Sequence, residues 1–485
     1  MNVFQRFPRK FWIANTLELF ERYAWYGMFM VLALYLTGSK AEGALGFTQA
    51  QKGTMMGIIV GTLYLMPVIT GAIADRFGFR RMLFISFSFL AVGYACMGFF
   101  TSYNGMFLAF SITAVGAGLF KPIISATVAK TTTEKTSSIG FGIFYMMVNI
   151  GAFIGPITAA KLRIISWSNV FYFAAALMIV NTLLTLLFFD KDEGAEKKGI
   201  SVGQEIKQVI KNIALALSDA KFVLFLFIIV GFWTMYNQLF YTLPVYIADW
   251  MDTSIVYDKI YQFWPWLARN AGTPEKTIAP EMMTNIDALY IIIFQLLVSW
   301  GVMKWRPVNA MMTGFLVSAI GLGLTFMQSN PMYLFITILV FGLGEMASSP
   351  KITEYIGKIA PKDKVALYMG CSFLPMAGGN YLAGWLSGGL YGEMSDKSVL
   401  LTKDLLNRGI EVPEISDSFT KTDLLVIGQD ALGMNAGELT EYLWETYNPS
   451  DIWMIFTGIG IGCFIMLFLY DKLLLKKWFY YHFNG

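Results

Sequence analysis

Residues 71–81 read GAIADRFGFRR. One acid, Asp75, and three arginines, Arg76, Arg80 and Arg81, stand with Gly71 and Gly78 where two apolar runs, 48–74 and 82–101, meet. Each run suffices for a helix crossing a hydrocarbon core about 30 Å thick, which needs roughly 20 mostly apolar residues. The stretch therefore reads as a tight basic loop at one face of a membrane.

Outward from that loop the pattern repeats. Apolar runs lie near 11–37, 48–74, 82–101, 104–129, 138–160, 167–189, 221–248, 286–303, 308–328, 331–359, 365–390 and 451–475, about twelve helical spans. Alternate loops are basic: Arg6, Arg9 and Lys10; Arg76, Arg80 and Arg81; Lys130 and Lys135; Lys191, Lys197, Lys198, Lys207 and Lys211; Lys304 and Arg306; Lys358, Lys362 and Lys364; Lys472, Lys476 and Lys477. Cytoplasmic loops carry such an excess, so both termini are expected in the cytoplasm. The apolar stretch after Lys10 carries Glu18, Glu21 and Arg22 and no small-residue cleavage site, so the first span reads as retained rather than as a signal peptide.

The composition agrees. Of 485 residues, 56% are hydrophobic and 14% charged, against about 45–50% and 25% in soluble domains. A net charge of +3 gives no reason to expect a nucleic-acid partner. Cys96, Cys371 and Cys463 stand far apart in apolar runs, and His482 is the sole histidine. No metal spacing, disulfide framework or nucleophile–base pair follows from them, so neither an enzyme nor a cofactor is expected.

The segment 190–220 is polar and central, and reads as a cytoplasmic linker between halves 1–189 and 221–485. Part of it suits an amphipathic helix on the membrane surface. Two outer-side insertions are expected. Residues 249–285 carry the interfacial aromatics Trp250, Phe263, Trp264 and Trp266. Residues 391–450 are acidic, with Asp423, Asp430, Glu438, Glu441 and Glu445, and Thr422 with Leu424, Leu425, Ile427 and Leu432 suggests short capped helices in a cap over the outer mouth.

Five charges stand out inside spans: Glu18, Glu21, Arg22, Lys121 and Glu345. At about 2.5–3.5 kcal/mol each, they would cost on the order of 12–17 kcal/mol unpaired. Glu18, Glu21 and Arg22, spaced i, i+3 and i+4, share one helical face. Arg22 stays charged and holds one carboxylate ionised. Like charge and desolvation both raise a carboxylate pKa, so three acids against two bases are most cheaply balanced by binding one proton.

The basic loop resembles the signature G-x-x-x-D-R-x-G-x-[RK]-[RK] of the major facilitator superfamily. The counterpart 303–307, MKWRP, is degenerate. The resemblance implies an all-α membrane protein: two six-helix bundles, substrate near the midplane, and a conformational latch at Gly71, Asp75, Arg76, Arg80 and Arg81.

Further stretches resemble the proton-dependent oligopeptide transporter family: Glu18 to Met28 as E-x-x-E-R-F-x-Y-Y-G-M, Gly118 to Ser125 as G-L-F-K-P-N-I-S, and Phe144 to Gly151 as F-Y-x-x-I-N-x-G. Phe232, Trp233 and Gln238 fit the seventh span, Gly344 to Glu354 resembles G-E-x-x-x-S-P-x-x-x-E, and Gly379 to Gly384 resembles G-N-Y-x-x-G. The resemblance implies proton coupling through Glu18, Glu21, Arg22, Lys121 and Glu345, with Lys121 pairing with the first-span cluster or with Glu345. It implies substrate binding by Tyr26, Phe29, Tyr145, Asn149, Asn237, Glu345 and Ser349. Asn149 offers a donor and an acceptor to a peptide amide, and Glu345 meets an amine.

The departures are Phe29 for the family's arginine, Asn237 for its seventh-span acid, Ile123 for its asparagine and an added Lys351. Linker 190–220 leaves no room for the two extra helices of many bacterial members. The leading expectation is a monomeric, proton-coupled plasma-membrane symporter (inner membrane if bacterial) for di- and tripeptides or a peptide-like solute. The alternatives are an importer or exporter of a non-peptide organic solute, and a non-transporting sensor or scaffold. The proton is the coupling ion, and the expected partners are the lipid bilayer and a small-molecule or short-peptide substrate.

Overall fold

The computed structural model describes residues 7–133, 136–189, 202–326, 329–361 and 364–475. Arg6, Lys135, Lys191, Lys197, Lys198, Lys362, Lys476, Lys477, His482 and the first part of the linker lie outside the described residues.

Among the described residues, nine helices are long and apolar enough to cross a membrane. Three more helical runs complete the expected twelve. The first span, Arg9–Thr37, carries buried charges. The second is broken at Pro67 into Gln49–Leu65 and Pro67–Phe77. The eleventh is assembled from Val365–Gly370, Phe373–Trp385, a π-turn at Leu386–Leu390 and Tyr391–Met394. Charges and breaks lower mean hydropathy without preventing a crossing, because neighbouring helices re-satisfy freed backbone groups.

The basic loop is sharper than its sequence suggests. Gly78 alone separates the second span from the third, Phe79–Phe99, at φ 88° and ψ 143°, a backbone that a residue with a Cβ rarely adopts. The linker contributes one helix, Val202–Ala216. Ile210 and Leu215 on it are exposed.

Both insertions are helical. Residues 249–285 contain Ser254–Phe263, Pro265–Ala271 and Pro280–Thr284. The second holds Lys397–Asn407, Lys421–Leu432 and Ala436–Tyr447. Capping boxes start the last two, at Thr420 with Asp423 and at Asn435 with Glu438. The cap is thus Thr420, two residues before the expected Thr422, because only Thr420 stands three before an acid. Thr422 bonds the Ser39 hydroxyl at 2.7 Å instead.

The chain divides into two compact units. One comprises Met1–Val31 and Ile59–Leu215, the other Leu32–Ile58 and Ala216–Gly485. The second unit therefore includes the end of the first span and the start of the second. In it, Gly53 and Gly57 of the second span meet Gly384 and Gly388 of the eleventh, backbone against backbone. Paired small-xxx-small stretches permit such an approach.

Candidate functional site

In the first unit, the fifth span, Ser137–Ile165, packs against the first across glycine. A Cβ at Gly151 would stand 2.8 Å from the Leu19 carbonyl oxygen and 2.9 Å from Arg22 Cβ. The Asn181 amide of the sixth span, Trp167–Phe188, donates to the Leu17 carbonyl at 2.9 Å. These contacts fix the turn that carries the cluster.

Glu18, Glu21 and Arg22 are 4%, 0% and 4% exposed, so their charges must be satisfied within the protein. They are satisfied unequally. Arg22 donates to both oxygens of Glu21, Nε to Oε2 at 2.5 Å and Nη2 to Oε1 at 2.7 Å. Glu18 lies 3.6 Å from Arg22 Nε, beyond hydrogen-bonding reach. The fork that fits one carboxylate bidentately is used on Glu21. Lys121, on Tyr103–Lys130, interacts electrostatically with Glu18, Glu21 and Arg22. The Tyr26 ring lies under the guanidinium at 5.8 Å. The fully buried Tyr94, which sequence reasoning passed over, also interacts with Glu21 and Arg22.

In the second unit, Glu345 on Leu334–Ile359 interacts with Asp287, a 5%-exposed carboxyl missed in the sequence, and takes a hydrogen bond from Tyr236. Asp287 is the second residue of Ile286–Val302; counting charges to the very ends of the spans finds it. Lys351, the added cation, is 8% exposed and pairs with Glu354 on its own helix at 2.8 Å. Asn237 stands at the break between Ala220–Tyr236 and Gln238–Tyr241, its amide donating to the Trp233 carbonyl at 2.8 Å. Ser349 is half-buried one turn from Glu345.

Phe29 is buried and stacks on Trp25 at 5.5 Å. Tyr145 is 49% exposed, and Asn149 donates to its carbonyl at 2.8 Å, so one of the two amide hydrogens of Asn149 is committed to its own helix. In the basic loop, Arg80 Nη2 donates to the Leu186 carbonyl. Arg76 stands in the last turn of the second span and Arg81 is exposed. The side-chain surroundings of Gly71 and Asp75 lie outside what the structure describes.

A second buried polar group, also missed in the sequence, gathers at the other end of the second span. Lys52 is fully buried, donates to the Tyr241 carbonyl at 2.9 Å and lies over the Tyr391 ring at 5.5 Å. The Tyr391 hydroxyl donates to Asp249 at 3.0 Å, and the Gln49 amide to Asp396 at 2.9 Å. Asp249 falls beyond the apolar part of the seventh span. Burial pushes its carboxyl up to about 6, with Asp396 adding to the rise against Lys421, Lys397 and the Tyr391 bond.

Because this folded value lies above the ordinary 3.8, the native state holds more protons between about pH 4 and about pH 6. Stability therefore falls as pH rises through that window. Asp249→Asn removes the charge and keeps an acceptor for Tyr391. The variant is expected to gain on the order of 1–2 kcal/mol at neutral pH and to show a flatter melting temperature across that window, as thermal unfolding in detergent would record.

The sequence profile of the Major Facilitator Superfamily matches residues 16–264. The chain is 26% identical over 391 residues to a Na(+), Li(+), K(+)/H(+) antiporter of Planococcus maritimus, covering 76% of this chain and 86% of that protein. It is 23% identical over 447 residues to the peptide transporter YePEPT of Yersinia enterocolitica subsp. palearctica serotype O:3, covering 78% and 87%. Among solved structures, a POT family transporter in complex with a thioalcohol-conjugated peptide superposes with a TM-score of 0.68 at 18% identity, over 98% of this chain and all of that one. At that identity the likeness concerns the fold.

Proposed function

The chain belongs to the Major Facilitator Superfamily, and from that premise we propose that it is a proton-coupled symporter importing di- and tripeptides or a peptide-like solute by alternating access. The observation that carries this reading is the unequal hold on two buried carboxylates. Glu21 stays ionised in the Arg22 fork. Glu18, held at 3.6 Å, is the group that gains and loses the proton. The first-helix motif and the likeness to a peptide transporter of Yersinia enterocolitica support the substrate class. Lys121 and Glu345 complete the coupling set. Tyr26, Phe29, Tyr145, Asn149, Asn237, Glu345 and Ser349 meet the substrate, and the loop from Gly71 to Arg81 latches one transport state. The protein works as a monomer in the plasma membrane with both termini in the cytoplasm, as its basic loops favour.

A second reading, proton-coupled import or export of a non-peptide solute, is favoured by Phe29 and Asn237. They leave the pocket without one cation and one anion that would fix the two ends of a zwitterion. The likeness to a cation/proton antiporter points the same way. Competition separates the two. Unlabelled di- and tripeptides should suppress uptake of labelled dialanine into proteoliposomes, whereas a non-peptide transporter takes up none.

The role of Glu18 is tested separately. Glu18→Gln keeps shape and hydrogen bonding but cannot bind and release the proton. It is expected to lose at least about tenfold of gradient-driven accumulation while retaining substrate exchange without a gradient. Accumulation equal to wild type would remove Glu18 from the coupling step.

A further inference from the structure

We propose that Asp287 and Glu345 form a second protonation site, distinct from the first-span cluster, in which two carboxyl groups share one proton. The two residues come from different spans, the eighth and the tenth. Asp287 is 5% exposed. Asp287 Oδ1 and Glu345 Oε2 are both buried, and neither has a hydrogen-bond partner among the described residues. Gly342 brings the two together. It lies three residues before Glu345, hence on the same face, and a Cβ there would stand 2.9 Å from Asp287 Oδ1. The absence of a side chain at 342 is what lets the Asp287 carboxyl lie against the tenth span beside Glu345.

The groups facing this site leave little choice of ligand. Asp287 and the Tyr236 hydroxyl act on Glu345. Tyr290, one turn along from Asp287, is committed to the Phe335 carbonyl at 3.0 Å. Lys351, further along the tenth span, is committed to Glu354 at 2.8 Å. Two ionised carboxylates would therefore face each other in a buried site. Like charges so placed cannot both ionise at ordinary cost. One proton taken from water removes one charge and gives one carboxyl an O–H that donates to the other. That single bond satisfies both orphaned oxygens, whereas a buried oxygen left unpaired costs about 1–3 kcal/mol. Hard cations usually take about six oxygen ligands, more than two carboxyl groups and a phenol supply, so the ligand is a proton.

The role of this proton in transport rests on the proton-coupled reading, but its existence does not, and the test needs no substrate. Infrared difference spectroscopy of the purified protein across a pH titration reads the C=O band of protonated carboxyl groups. The wild type should show a band absent from the Asp287→Asn/Glu345→Gln double variant. In Asp287→Asn alone, Glu345 loses its anionic neighbour, so the pH at which the band bleaches should fall by about one pH unit or more. Gly342→Ala, which displaces Asp287 without removing it, should shift the band in the same direction by less. Three results would overturn the proposal: identical bands in wild type and double variant, a titration indifferent to Asp287→Asn, or bleaching by sodium at fixed pH. Failure of dialanine uptake with the band intact would count against the transport reading alone.

Discussion

Replacing Arg22 with leucine is expected to abolish gradient-driven uptake and to cost about 3–5 kcal/mol of stability, the usual penalty for removing one partner of a buried ion pair. Glu21 is fully buried and takes both of its short charged hydrogen bonds from Arg22. Without the guanidinium, Glu21 must take up a proton, and Glu18 no longer stands beside a fixed anion and cation. Arg22→Lys should recover part of the stability but little coupling, because an ammonium cannot serve both Glu21 oxygens in one plane. The double variant Glu21→Gln/Arg22→Leu separates the two effects. Removing both charges is often neutral or stabilising, so its melting temperature should return close to wild type while accumulation stays absent. Recovery of accumulation in that variant would show that the pair serves folding alone.

Gly53→Val, near the start of the second span, is expected to be nearly as disruptive. A Cβ at 53 would stand 2.1 Å from the Gly384 carbonyl oxygen and 2.6 Å from Gly388 Cα. Both are backbone atoms, so no rotamer change relieves the clash, and one helix must move. Overpacking of this kind costs about 1–3 kcal/mol and occasionally more. Movement there would also draw Lys52 from the Tyr241 carbonyl and Gln49 from Asp396. A cysteine at Met56, fully buried in the native packing, should become reactive to a membrane-impermeant maleimide in the Gly53→Val background. Gly458→Ala is the control: among the described residues nothing lies within 4 Å of a Cβ there, and the exchange should be neutral or slightly stabilising. Equal melting temperatures for the two variants would contradict the close-packing account.

The residues differ in how legible they were. The face shared by Glu18, Glu21 and Arg22 follows from spacing alone, and so does the need to pair its charges. Which acid Arg22 holds does not follow. Helix-surface rules favour partners three or four apart, yet the guanidinium folds back onto its immediate neighbour Glu21 and leaves the i−4 residue, Glu18, at 3.6 Å. Asp287 and Lys52 were present in the sequence but stood within the first turns of their spans, where a charge reads as a water-facing helix end. The structure buries both: Asp287 lies against the tenth span at Gly342, and Lys52 reaches the Tyr241 carbonyl and the Tyr391 ring. The breaks at Pro67 and within the eleventh span were likewise hidden, since local hydropathy reports composition and not the carbonyls that neighbouring helices satisfy. Neither the specific motif nor the fold selects a substrate, because Phe29 and Asn237 alter the residues that would read its charged ends.

The central claim is that solute movement is driven by protons. The most direct test is uptake of labelled dialanine into proteoliposomes with the pH gradient as the only driving force. The account predicts accumulation above the external concentration when the outside is acidic, collapse on adding a protonophore, and loss of accumulation in Glu18→Gln. Uptake that proceeds equally with and without the gradient would contradict it.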